Sequence, residues 1–265
     1  MPKVSIVMPI YNGKKYIEKA VESILIQAFS DFELIIIDDG STDGSGELLK
    51  DKFGDKIKYV YQKNKGAAAA VNKGISLSLG GYIAFCDQDD WWLPEKLKRQ
   101  VDFLEGNKGM AMVYGDALMA DENGKILDET WMQLRAVRYY EGSYSDCVVR
   151  LFDRNFICAP LSVLVRKNVF DAIGLFNEKF SSAYDYDYWF RLLEAGFKIG
   201  YIKEPLVVWR THEGQKSRDI HRAKAMQIGI LKSFLKRKPE FSTQHPFLVI
   251  KKFIKSYTAL FLSNK

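Results

Sequence analysis

The chain has 265 residues, 47% of them hydrophobic, which is length enough for one sizeable α/β domain with or without an appendage and excludes a disulfide-dependent miniprotein. Its three cysteines, Cys86, Cys147 and Cys158, are widely spaced among apolar residues without any CxxC or Cys/His pattern, so they read as reduced core thiols. The net charge of +6 is uneven: from His221 onward ten Lys/Arg face one acid, Glu240, whereas residues 1–220 carry 29 basic against 32 acidic side chains.

The chain runs from Met-Pro-Lys straight into "VSIVMPI", too short for a signal peptide, and no run of about 18 apolar residues follows. The expectation is a cytoplasmic protein, with peripheral contact at the inner face of the cell membrane as an option. Four short β-branched runs, "KVSIVMPIY" (3–11), "FELIIID" (32–38), "KIKYVYQ" (56–62) and "GYIAFCD" (81–87), recur about every 25 residues, and such continuous apolarity suits strands covered on both faces. Between them helical patterns occupy 14–28, 43–53 and 66–79, the first with Ile17, Ala20, Val21, Ile24, Leu25 and Ala28 on one face. Strand and helix in alternation predict a doubly wound, mostly parallel sheet. Pro94 sits where a further helix would begin, and Asp90 is a candidate cap for it. Beyond residue 110 the pattern turns mixed: a strand "MAMVYGDAL", a turn at 123–124, a strand "SVLVR", a helix over about 185–195, and two strands, "FKIGYI" and "PLVVWR". A soft boundary falls at 218–222, where the charge balance changes.

In open parallel sheets ligands bind outside the carboxyl ends of the strands. Here the first strand ends in Pro9, Tyr11, Asn12 and Gly13, the second in "DDGSTDGS" (38–45), and the fourth in Asp87, Asp89 and Asp90. Ser41, Thr42 or Asp43 can cap the following helix, but Asp38 and Asp39 lie at the strand end, where carboxylates commonly bond a ribose or base. The turn after the first strand has no GxGxxG and the chain has no Walker loop, so a redox dinucleotide is disfavoured. An Asp-Gln-Asp-Asp turn supplies hard oxygens for a divalent ion whose shell phosphate oxygens complete.

These motifs, with "NKGAAAAVNKGI", "NVFDAIGLFNEKF", "YDYDYWFRLLEAGFKI" and "WRTHEGQKS", resemble the family 2 glycosyltransferases, inverting enzymes of the GT-A fold, over about residues 3–217. The resemblance implies a GT-A domain over 1–218, with a nucleotide-binding half (1–110) and an acceptor-binding half (111–218), followed by basic helices over 219–265. It implies Mg²⁺ or Mn²⁺ held by Asp87, Asp89 and His212. Pro9, Tyr11, Asp38, Asp39, Asn72, Asp87 and Arg210 would then bind a nucleotide-sugar, and Trp91, Trp92, Tyr184 and Trp189 the acceptor, with one tryptophan of the Trp91–Trp92 pair and Trp189 readable as core residues instead. Asp185 matches the family's catalytic base, with Asp187 as the second choice. The chain departs from the pattern at Val71, where the family often has Arg, and at Tyr184, where it has Glu. The implied activity is transfer from a UDP-, dTDP- or GDP-sugar to a saccharide or lipid-linked saccharide, with no nucleic-acid partner. A sugar-phosphate nucleotidyltransferase would want a Gly- and Arg-rich loop where "PIYNGKKYIEKA" stands, and an inactive binding module would not need Asp87, Asp89 and Asp185 intact.

The tail, outside these motifs, reads as helices over 221–238 and 246–262, the second amphipathic, suited either to an anionic membrane surface or to packing on the catalytic domain or a second copy.

Overall fold

The computed structural model describes residues 1–181, 183–215 and 219–262. Lys216 and Ser217, the end of the "WRTHEGQKS" motif, lie outside the described residues. The first half is three βαβ units: β1 (Val4–Ile10), α1 (Ile17–Leu25), β2 (Phe32–Asp38), α2 (Ser45–Phe53), β3 (Lys58–Tyr61), α3 (Ala67–Leu77) and β4 (Tyr82–Phe85). β2 and β4 flank β1 in parallel register, Val7 facing Ile35 and Phe85, and β3 adds beyond β2. The strands are apolar on both faces because helices cover both. On α3 a Cβ at Gly74 would run into Val7, so that helix lies flush on β1.

The second half contains β5 (Trp91–Trp92), α4 (Lys96–Gly106), β6 (Met110–Ala120), β7 (Ile126–Thr130), α5 (Trp131–Arg135), α6 (Tyr144–Asp153), β8 (Val163–Arg166), α7 (Lys167–Ile173), α8 (Tyr184–Glu194) and β9 (Lys198–Arg210). The sheet order is β3-β2-β1-β4-β8-β6-β9-β5, with β7 on β6. β8 is antiparallel to both β4 and β6, which makes the sheet mixed, and β6 runs parallel to β9.

Two expectations are corrected here. "FKIGYI" and "PLVVWR" form one 13-residue strand, β9. Pro205 cannot donate to a ladder, and the register shifts at its partner Asp116 absorb the break that looked like a loop. The helix after the acidic turn starts at Lys96 instead of Pro94, and Asp90 does not cap it. The Gln27 side chain takes that role by accepting from Leu97 N at 3.0 Å.

The tail is α9 (Ile220–Arg237), α10 (Pro239–Gln244) and α11 (Pro246–Leu262). Ile230, Leu231 and Phe234 of α9 are fully buried, and the Phe234 ring stacks on Phe190 of α8 at 4.4 Å. One hydrophobic core therefore runs from β1 through the second half to Phe241. No helix among the described residues is long and apolar enough to cross a membrane.

Candidate functional site

Three loops leave the carboxyl ends of β1, β2 and β4, and side-chain to backbone hydrogen bonds tie them together. Asn12, in the left-handed region at φ 50°, accepts from Thr42 N through Oδ1 (2.8 Å), while its own N–H donates to Ser41 Oγ (3.0 Å). Gly13 N donates to Ser45 Oγ and Lys14 N to Asp43 Oδ2. Burial works against the Asp43 carboxylate, but the donors from Ser45 and Lys14 hold its pKa below the ordinary value. Gln88, inside the acidic turn, makes a two-way bridge to Tyr11, accepting from its N–H at 2.7 Å and donating to its carbonyl at 3.2 Å. Sequence reasoning passed over Gln88 because the acids around it carried the signal.

A Cβ at Gly13 would lie 2.5 Å from Gln88 Oε1, so only glycine leaves that bridge intact. Gly13→Ala and Gln88→Ala are each expected to cost about 1–2 kcal/mol, the worth of two modest hydrogen bonds. Urea midpoints of the two single variants and the double variant check this. The double should cost little more than either single, because both changes remove one bridge.

Asp38 and Asp39 are buried. Asp38 accepts from Ser41 N (2.8 Å) and from the Tyr59 hydroxyl (2.6 Å), whose pKa burial and this carboxylate raise. Asp39 accepts from Gln62 Nε2, Lys65 N and Gly66 N, all at 2.8 Å. Gly66 caps α3 at φ 93°, so Asp39 pins the start of that helix beside the end of β2. Asn72, further along α3, bonds Phe176 O, Phe176 N and Glu178 Oε1, each at 3.0 Å, which fastens α3 to the segment leading into α8.

At the acidic turn, His212 Nε2 lies 2.9 Å from Asp89 Oδ2. Arg210 is buried and woven into the turn: its N–H bonds Asp90 Oδ1, its Nε the Asp89 carbonyl and its Nη1 the Glu122 carbonyl. The guanidinium also lies over Tyr16 (4.6 Å) and Trp91 (4.9 Å). Desolvation, then Asp89 and Asp87, raise the buried Asp90 pKa well above the carboxylate range. Trp91 is covered by Lys19 at 3.4 Å and by Arg210. Trp92 and Trp189 are 2% and 1% exposed, so the structure places both in the core and not at an open surface. Adjacent residues on a strand face opposite ways, and Trp92 turns inward onto the buried Lys96. Pro9 lies on β1, and Tyr11, 39% exposed, follows it.

α8 brings its first turn to the same place. The Tyr184 hydroxyl is pushed well up by burial and then by both the Asp87 and Asp185 carboxylates, so the acidic turn and the start of α8 converge on this phenol. Burial raises Asp185 to about 6, opposed by backbone N–H groups at the helix start. Asp187 is fully buried and ion-paired to Arg191 (3.0 Å) and Arg237 (3.3 Å). Asp187→Ala is expected to lose about 1–3 kcal/mol of stability, because it takes the carboxylate partner from Arg191, which keeps only carbonyls, and one of the two carboxylates that hold Arg237, which keeps Glu194. Calorimetric melting should show that loss while the folded fraction keeps its affinity for any donor.

Among the described residues no group of three or more His, Cys, Asp and Glu could by itself hold a metal. A cavity of about 500 Å³ lies elsewhere, against Asp116, Met132, Arg138 and Tyr201.

A curled mixed sheet whose strand ends gather acids opposite the start of a helix defines the GT-A class of transferase fold. The chain matches the Glycosyl transferase family 2 model over residues 5–174 and belongs to that family. Similar curated proteins include an "Uncharacterized glycosyltransferase" of Rickettsia felis, 32% identical over 99% of this chain and 43% of the relative. TuaG of Bacillus subtilis, named for teichuronic acid biosynthesis, is 33% identical over 79% of each chain. The chain spans 34–43% of the length of the first three relatives. Among solved structures, S. aureus TarS 1–349 in complex with UDP-GlcNAc has a TM-score of 0.66 at 19% identity, over 97% of this chain and 81% of that one. The mannosyltransferase PcManGT of Pyrobaculum calidifontis, in complex with GDP-Man and Mn²⁺, has a TM-score of 0.64 at 16% identity, over 99% and 73%.

Proposed function

We propose that this chain moves a sugar, with inversion, from a nucleoside-diphosphate sugar to a hydroxyl of a saccharide or lipid-linked saccharide in cell-surface polysaccharide synthesis. The observation that carries the reading is the gathering of acids and cations at the strand ends: Asp89 meets His212 at 2.9 Å, Arg210 holds Asp90 and the Asp89 carbonyl, and Asp38 and Asp39 lie buried beside the end of β2. The loops at β1 and β2 form the nucleoside side, where Pro9 and Tyr11 offer faces to a base and Asp39 an acceptor to a ribose or base. A UDP-sugar is favoured by the TarS likeness, with dTDP- and GDP-sugars as alternatives.

A divalent ion fits what the chain offers. Asp89 and His212 already meet, Asp87 stands two residues away, and such ions take one or two protein carboxylates with substrate phosphates for the rest. When bound, Mg²⁺ or Mn²⁺ would offset the charge on the departing nucleoside diphosphate. Asp185 receives the proton of the acceptor hydroxyl as it attacks the anomeric carbon from the side opposite the leaving group. Tyr184, next to the base at the start of α8, belongs to the acceptor side.

Calorimetric titration of UDP-, dTDP- and GDP-sugars, each with and without Mn²⁺ and followed by assay of released nucleoside diphosphate, tests the proposal. Micromolar to millimolar binding of one nucleotide class that depends on Mn²⁺ supports it. No binding by any class with Mn²⁺ present overturns it.

A further inference from the structure

Among the described residues α11 buries one face against the rest of the chain. Lys252 and Ser256 are buried, and Leu248, Val249 and Phe253 are partly buried against the core. On the opposite side Phe247, Ile250, Ile254 and Tyr257 are 86%, 58%, 63% and 44% exposed, and their 3-4-3 spacing aligns them in one stripe along the helix. A continuous apolar stripe of this kind marks a contact surface more than a tolerated surface residue does.

Cations edge the stripe. Lys251 and Lys255 are exposed next to it, and Lys232 of α9 reaches over the Tyr257 ring at 5.6 Å. The single acid from His221 onward, Glu240, lies 3.8 Å from Lys238, on α10. Nothing on α9 or α11 balances these lysines.

We propose that this face of α11 docks on an anionic lipid surface, its apolar stripe at the level of the headgroups and acyl chains and its lysines against lipid phosphates. The charge pattern selects this occupant over a second copy of the chain. A two-fold pairing of α11 faces would set lysines against lysines, whereas an anionic bilayer complements each of them. The helix would lie in the interface plane. Such docking does not depend on the transfer reaction, and it would bring the enzyme to an acceptor carried on a lipid.

Co-sedimentation of the full chain with phosphatidylglycerol-containing vesicles, against phosphatidylcholine vesicles alone, tests it. Expected is binding to the anionic vesicles only, falling about tenfold or more from low to high salt. Lys251→Glu with Lys255→Glu should reduce partitioning about tenfold or more, and Ile254→Glu comparably, with melting temperatures unchanged because all three side chains are exposed. Absence of binding, equal binding to both vesicle types, or light scattering that shows a dimer lost in Ile254→Glu would overturn the proposal, the last in favour of a second copy.

Discussion

Asp185→Asn is expected to lower transfer to the acceptor by about 10²- to 10⁴-fold, the usual contribution of a positioned base, while donor affinity stays within a few fold. The base acts on the acceptor hydroxyl and contributes little to holding the nucleotide. The pH profile gives a sharper readout. The carboxyl is raised to about 6, chiefly by burial, and a base works only when deprotonated, so the wild-type rate should climb with pH and level off above about 6. That acid limb should be missing from whatever rate Asp185→Asn retains. Stability runs the other way: the folded state holds this proton more tightly than the unfolded chain, whose ordinary value is 3.8, so the contribution of Asp185 to stability falls as pH rises from about 4 to about 6. Asp185→Asn should therefore be somewhat more stable than wild type at neutral pH. If Asp187→Asn abolished transfer and Asp185→Asn did not, the assignment of the base would fail.

Asp89→Ala is expected to abolish Mn²⁺-dependent turnover and Mn²⁺-dependent donor binding while the fold survives. Arg210 reaches Asp89 through its main-chain carbonyl, which alanine keeps, so the weave of the acidic turn stays in place. Removing one of the charges that lift the Asp90 pKa also relieves repulsion in a buried cluster, and the melting temperature should hold or rise slightly. Titration calorimetry with Mn²⁺ present and absent, together with a melting curve, checks both halves. Undiminished Mn²⁺-dependent turnover in the variant would remove Asp89 from the metal site.

The parallel strands β1, β2 and β4 were legible in the sequence because they are largely buried on both faces and read as unbroken apolar runs. The strand-end acids were legible because neighbouring carboxylates after such a run repel and call for cations or hydrogen-bond donors to meet them. β9 was hidden by Lys203, Glu204 and Pro205, which look like a turn and instead ride a register shift beside Asp116. Asn72 was read toward a nucleotide, yet its amide is committed to the segment at 176–178, a partner over a hundred residues away that no local pattern reveals. Lys96 sits in a string of charges and reads as solvated, but it is wholly buried, bonded to Gln100 Oε1 (2.7 Å) and to the Val163 carbonyl (3.3 Å), with burial lowering its pKa to about 7. The orientation of the Trp91–Trp92 pair also depends on β9, because the partner strand decides which face turns inward.

The pairing of β5 with β9 bears on how this chain could be recombined with its relatives. Trp91 and Trp92 precede residue 110, yet their ladder partners are Val208 and Val207, and β8 threads between β4 and β6. Segments from the first and second halves of the chain are interleaved like the fingers of two hands. A chimera spliced at residue 110 would carry one strand away from its ladder and the acidic turn away from Arg210, so exchanges aimed at new sugars belong in the loops at the strand ends, where the splice leaves the interleaving whole.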